Sequence, residues 1–279
     1  MTIAEPSLSA AYCGDVVCES VRGISTLTTL YSRSPLKLMS PDHIGRAARV
    51  VMSSFGGGLV AGDDVPVRVK VGADAACVLT TQSASKIYRS DGRHCSQSLT
   101  ADIDDNGVLV VLPDPLCCYA GASYRQRQHF DLASPSSSLL WLDWLTSGRW
   151  AREERWEFES LSTRTDIHVD GRLRFRESLL LDDRDGAVDG PLRMGRFDCY
   201  AVLVMIGPAF APLIDICEQT ARAVPSGVRA QMLASTTRIE DGVVMRVLGP
   251  RVQVVQEFLR RVISRLADVL GEDPWARKW

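Results

Sequence analysis

The sequence predicts a mainly β protein with two helices in its C-terminal third. Three observations carry this. Short segments of the 279-residue chain alternate apolar and polar residues at a period of two. Turn-forming residues separate them at near-regular intervals. Helical three-four spacing shows only late in the chain, a segregation that argues for a β body with appended helices and against βαβ units.

The elements follow in order. Val65, Val67, Val69 and Val71 alternate with Pro66, Arg68 and Lys70, and Gly72 ends the run. Proline cannot donate to a ladder, so that end of the strand is expected at an edge. Residues 107–113 read as a buried strand. Tyr124, Gln126, Gln128 and Phe130 alternate with Arg125, Arg127 and His129, and residues 139–145 are apolar and aromatic. Thr163, Thr165, Ile167 and Val169 form another alternating set; Asp170-Gly171 supplies a hairpin turn, and Leu173 and Phe175 continue beyond it. Residues 200–206 and 243–248 complete the strands. A helix is expected from Pro212 to Ala223, with Leu213, Ile216, Cys217 and Thr220 on one face and a stop before Pro225. A longer one is expected from Val252 to Leu270, with Gly271 as its C-terminal cap. Residues 134–138 read as a loop and residues 182–190 as an acidic, mobile one. The chain reads as a single domain over residues 1–279, with about the first 20 unordered.

Composition excludes several classes. A formal net charge of -2 gives no general pull toward nucleic acid or anionic membrane. No apolar run is long enough to span a bilayer, and the N-terminus lacks a basic start and sustained apolar stretch, so a cytoplasmic protein is expected. The eight cysteines lack any CxxC pair and read as free thiols.

Local motifs for chemistry are weak. Gly56-Gly57-Gly58 could cradle a phosphate, but no Lys-Ser/Thr pair follows; a tight turn before the Val65 strand is the plainer reading. Residues 79–89 read as a surface strand with a polar face. Asp114, between Pro113 and Pro115, marks an extended corner. His43, His94, His129 and His168 are scattered, which argues against a dedicated zinc site. Two further readings stay open. One is a β-sheet module binding a polysaccharide or peptide through Trp141, Trp144, Trp150 and Trp156. The other is a hydrolase using Ser53 or Ser54.

Several ordered blocks resemble one family. Residues 55–63, with Gly57, Gly58 and Gly62 ahead of Asp63, are followed by 79–89, 112–115, 124–132, 142–149, 153–158 and 176–182. Together they resemble the UreD (UreH) urease accessory proteins over roughly residues 35 to 185. The resemblance implies a β-helix-like or layered β fold and no enzymatic activity. It implies urease apoprotein and the accessory protein UreF as partners, with the GTPase UreG reached through UreF. No cofactor is implied; nickel would be cargo in transit, passing through a tunnel. Asp63, Asp143, Glu153 and Glu177 fall in matching blocks as candidates to line that passage, Asp63 first. A conduit must release its ion, so scattered carboxylates suit it better than a thiolate cluster. Cys117 and Cys118 depart from the pattern and read as mobile surface thiols.

Overall fold

The computed structural model describes residues 12–42 and 45–275. The first ordered element, β1 (Gly14–Val21), turns through Arg22-Gly23 into β2 (Ile24–Ser32), its antiparallel partner. Residues 14–20 of the stretch expected to be unordered thus form a strand; residues 1–11 and His43 lie outside the described residues. Next come β3 (Leu36–Met39) and β4 (Ala48–Ser54), antiparallel to each other.

From there the chain winds between two sheets. It runs through β5 (Asp64–Val71), β6 (Ala76–Thr81), the short β7 (Ser85–Ile87), β8 (Cys95–Ile103) and β9 (Val108–Leu112). The short β10 (Leu116–Cys118), β11 (Ser123–Leu132), β12 (Ser138–Thr146) and β13 (Ser160–Val169) follow. The pairings β5–β8–β11–β13 and β4–β6–β9–β12 are parallel, so the strands stack as successive coils of a solenoid. A hairpin then adds β14 (Arg172–Asp182), and β15 (Cys199–Ile206), β16 (Leu233–Ile239) and β17 (Gly242–Gly249) extend the second sheet antiparallel. The result is a sheet A of seven strands, ordered β14-β13-β11-β8-β5-β1-β2, facing a ten-stranded sheet B.

Strand alternation decides which side chains enter the core. Leu139, Trp141 and Leu145 of β12 point between the sheets and join one apolar cluster. Leu140, Leu142 and Trp144 point outward and join a second, under the helices. That is why this segment reads as a continuous apolar run: both faces of the strand are covered.

Helix α1 (Ala211–Arg222) buries Leu213, Ile214, Cys217 and Ala221, a stripe that takes in Ile214 in place of Ile216. The long second helix is not continuous. It divides into α2 (Val252–Val262) and α3 (Leu266–Leu270), and Gly271 closes the latter in the left-handed conformation at φ 80°. The break lets Ile263 and Leu266 both reach sheet B's outer cluster. Among the described residues no helix is long and apolar enough to cross a membrane.

Three expectations need correction. Strand β5 is internal, paired to both β1 and β8. Pro66 is tolerated because β1 pairing starts only at Gly14, opposite Val67, while the Pro66 carbonyl still accepts the Cys13 N–H at 2.7 Å. Strand β6 is not a surface strand: it lies between β4 and β9, with Thr80 and Thr81 buried. Cys118 is buried and Cys117 partly so, and burial pushes both thiols up; they are packing groups, not mobile surface thiols. All eight cysteines are free.

Candidate passage between the sheets

The space between the sheets is apolar over most of its length, but a polar stripe runs through it. It starts from strand parity. On β11 the even positions face inward: Tyr124, Phe130 and Leu132 belong to the inter-sheet cluster, which places Gln126 and Gln128 on the same face. On β12 the odd positions face inward, so Asp143 stands between Trp141 and Leu145. On β14 the same parity brings Glu177 inward between Phe175 and Leu181.

Asp143 and the two amides are hydrogen-bonded to one another, and Glu177 has a separate set of partners. Gln126 Nε2 donates to Asp143 Oδ2 at 2.7 Å, and Gln128 Nε2 approaches the same oxygen at 3.3 Å. Trp141 Nε1 donates to Gln128 Oε1 at 3.1 Å, fixing that amide. Tyr124 Oη is 3.1 Å from Gln126 Oε1 and 3.3 Å from Gln97 Oε1. Further along, Tyr200 Oη donates to Glu177 Oε1 at 2.9 Å, and the Arg246 guanidinium forks onto both Glu177 oxygens. These polar groups are thus partnered in two separate clusters, which is what makes them tolerable between apolar sheets.

Burial pushes Asp143 up to about 7; the hydrogen bonds from Gln126 and from the Trp144 N–H pull it back, and the Glu177 charge adds a smaller upward push. Near neutral pH Asp143 therefore exchanges readily between a neutral and an anionic form. Tyr200 is raised by the same burial and by Glu177, so it stays a neutral donor.

The stripe has a mouth. A cavity of about 290 Å³ opens beside the glycine loop, lined by Gly57, Gly58, Ser53, Gln82 and Lys86 among others. A second cavity, of about 50 Å³, lies deeper and is lined by Asp114, Tyr124, Gln126, Gln128 and Asp143. The two share Met52, Thr81, Ser85 and Gln97. The inner one has room for little more than a water molecule or two, whose share of liquid volume is about 30 Å³ each.

The loop at the mouth is shaped by its glycines. A Cβ at Gly58 would lie 2.7 Å from the Lys86 carbonyl oxygen and 2.6 Å from Tyr88 Cε2. Gly58 therefore lets Leu59 dock on Ile87. Gly62 takes φ 86°, the left-handed region, and a Cβ there would meet Arg93.

Sequence candidates divide accordingly. The fold turns Asp143 and Glu177 to the same interior side; Asp143 lines the inner cavity, whereas Glu177 lines neither. Asp114 lines the inner cavity and is bonded to Thr81, whose hydroxyl donates to its carboxylate at 3.0 Å and accepts its N–H at 2.6 Å. Asp63 closes its own turn, its Oδ2 accepting the Val60 N–H at 2.9 Å, and lines neither cavity. Glu153 is exposed and caps a single 3₁₀ turn in the left-handed conformation. Tyr124, Gln126, Gln128, Tyr200 and Arg246 were not singled out. For β11 the signal was present: two amides at positions whose parity marks the apolar face.

The other readings lose their footing. Of these four, Trp141, Trp144 and Trp156 are buried and Trp150 alone is exposed, so they make no binding platform. The Ser53 hydroxyl is bonded to Gln82 Oε1 at 2.7 Å, not to a histidine.

The family model for UreD, described as UreD urease accessory protein, matches residues 13–279. The chain belongs to this family. Among similar proteins, the urease accessory protein UreD of Sorangium cellulosum is 42% identical, covering 95% of this chain and 84% of that one. The UreD protein of Anaeromyxobacter is 38% identical, covering 96% and 89%. Urease accessory protein D of Arabidopsis thaliana is 32% identical, covering 94% and 99%. The polar stripe is thus an internal feature of a UreD-family chain, reached from the glycine loop.

Proposed function

We propose that this chain is a non-enzymatic urease maturation factor that conducts nickel to the urease active site through the passage between its sheets. One observation carries the reading: Asp143 is an inward-facing carboxylate lining a cavity that shares four wall residues with an open one, and Glu177 faces the same side from the end strand of sheet A. A carboxylate with a pKa near 7 suits transfer, because it holds a divalent cation when ionised and releases it on protonation. Amide and phenol oxygens from Gln97, Gln126 and Tyr124 offer weak ligands on the way. The reading includes docking of apo-urease and of UreF, with UreG reached through UreF, in the cytoplasm.

The test is the nickel content of urease matured with variant chains. Asp143→Asn combined with Glu177→Gln should leave urease assembled but at least several-fold poorer in nickel, while the variant still co-purifies with apo-urease and UreF. Full nickel loading by the double variant would overturn the passage. Failure of the wild-type chain to bind either partner would overturn the scaffold.

A further inference from the structure

The outward face of sheet A holds a second set of metal-donor groups, on the opposite side of β11 from the stripe. His129 and Asp131 occupy odd positions of β11, and His168 an even position of β13, all on that outer face. Parallel pairing sets His168 directly beside Asp131. His129 Nε2 lies 2.8 Å from Asp131 Oδ2, and His168 Nδ1 lies 3.7 Å from Asp131 Oδ1. The two imidazole rings are 4.9 Å apart.

We propose that His129, Asp131 and His168 form a binding site for a divalent transition-metal ion of the nickel, zinc and copper class. One donor atom from each lies within 4.8 Å of the others. Ligand atoms about 2.0–2.2 Å from a late first-row ion stand about 3–4 Å from one another, so small side-chain rotations close the set. Two imidazoles and one carboxylate favour these ions over magnesium or calcium, which prefer all-oxygen shells. His168 Nδ1 is buried yet hydrogen-bonded to nothing among the described residues, a cost that an ion bound there would remove.

Two features of the surroundings favour a cation. The β13–β14 register shifts between Ile167 and His168, so that Leu173 stands opposite His168. Without that bulge Arg174, the residue before Phe175, would take the place and repel a bound ion. Beside Asp131 lies a cleft of about 350 Å³ with Asp102 and Asp104 on its walls, which leaves room for water to complete the shell. Lys70 also lines it, but Lys70 is drawn toward Asp104 at 3.8 Å.

The site is independent of the passage, because sheet A separates the two. Nickel chloride and zinc chloride titrated into the purified full chain by calorimetry provide the test. One equivalent should bind, should persist in Asp143→Asn/Glu177→Gln, and should weaken at least tenfold in His168→Ala and in His129→Ala. Circular dichroism reports whether those variants fold, and anomalous diffraction from wild-type crystals soaked in zinc places the ion without any variant. Density between the three side chains supports the site. No binding at millimolar metal, undiminished binding in both histidine variants, or anomalous peaks only elsewhere would overturn it.

Discussion

A carboxyl group held near pH 7 in the middle of a protein affects stability as well as chemistry. Asp143 has its pKa raised to about 7 in the fold, against about 3.9 for a free aspartate. Below the lower value both states are protonated and the group costs nothing. As pH rises from about 4 to 7 the unfolded chain gives up its proton first, so stability is drawn off, and above 7 the full cost is present. Asp143→Asn keeps an oxygen for Gln126 and removes that cost. It should stabilise the chain by about 1–3 kcal/mol at pH 8 and by almost nothing at pH 4. Thermal melts of both proteins at the two pH values check this; an equal shift at both would disprove the assignment. At this scale the sequence was partly legible. Asp143 and Glu177 lie in motif blocks and face inward, whereas Asp63, the first candidate, serves its own turn. A motif identifies a residue that matters; it takes the parity of the strand to say which way that residue faces.

Among the elements, the strands were readable because burial on one face imposes alternation, and a β13–β14 hairpin followed from Asp170-Gly171. What could not be read was pairing. His129, Asp131 and His168 are scattered in sequence and meet only because β11 and β13 run parallel in one particular register. The long C-terminal helix was overread for a related reason: its apolar spacing persists across residues 263–265, where the chain bends to follow sheet B. Two substitutions test elements directly. Gly58→Ala forces a Cβ against the Lys86 carbonyl and should cost about 1–3 kcal/mol while disturbing the mouth loop. Leu259→Ala leaves a hole under α2, where the side chain is buried to 1% exposure, and should cost about 2–5 kcal/mol. Urea unfolding measures both, and values below half a kcal/mol would contradict the packing described.

For the molecule as a whole, the proposed passage requires a continuous space. Ser85 lines both cavities at their junction. Ser85→Leu should narrow that junction, lowering the nickel content of matured urease without weakening the complex with apo-urease; nickel content and pull-down, measured together, separate the two effects. Unchanged nickel loading would place the route elsewhere. The fold class was legible because many short alternating segments and late helices admit few arrangements. The solenoid winding was legible only through resemblance, since coils with no shared sequence leave no repeat to detect.

The winding also sets a timetable. Ala48 pairs with Cys77, Asp64 with Ser96 and Ala76 with Val108, so each coil closes on a loop of about 30 residues. Coils can therefore form one after another as the chain leaves the ribosome. The covering of sheet B cannot keep that pace. Leu140, Leu142 and Trp144 face outward from β12, and α1 and α2, which cover that side of the sheet, begin only at residues 211 and 252. At synthesis rates of about 5–20 residues per second, that apolar face waits several seconds for its cover. A chain ending at Gly249 keeps α1 but never gains α2 and α3, so part of that face stays uncovered. It should bind a hydrophobic dye and aggregate where the full chain does not, and a soluble, dye-free truncation would show that α2 and α3 are dispensable to the coil.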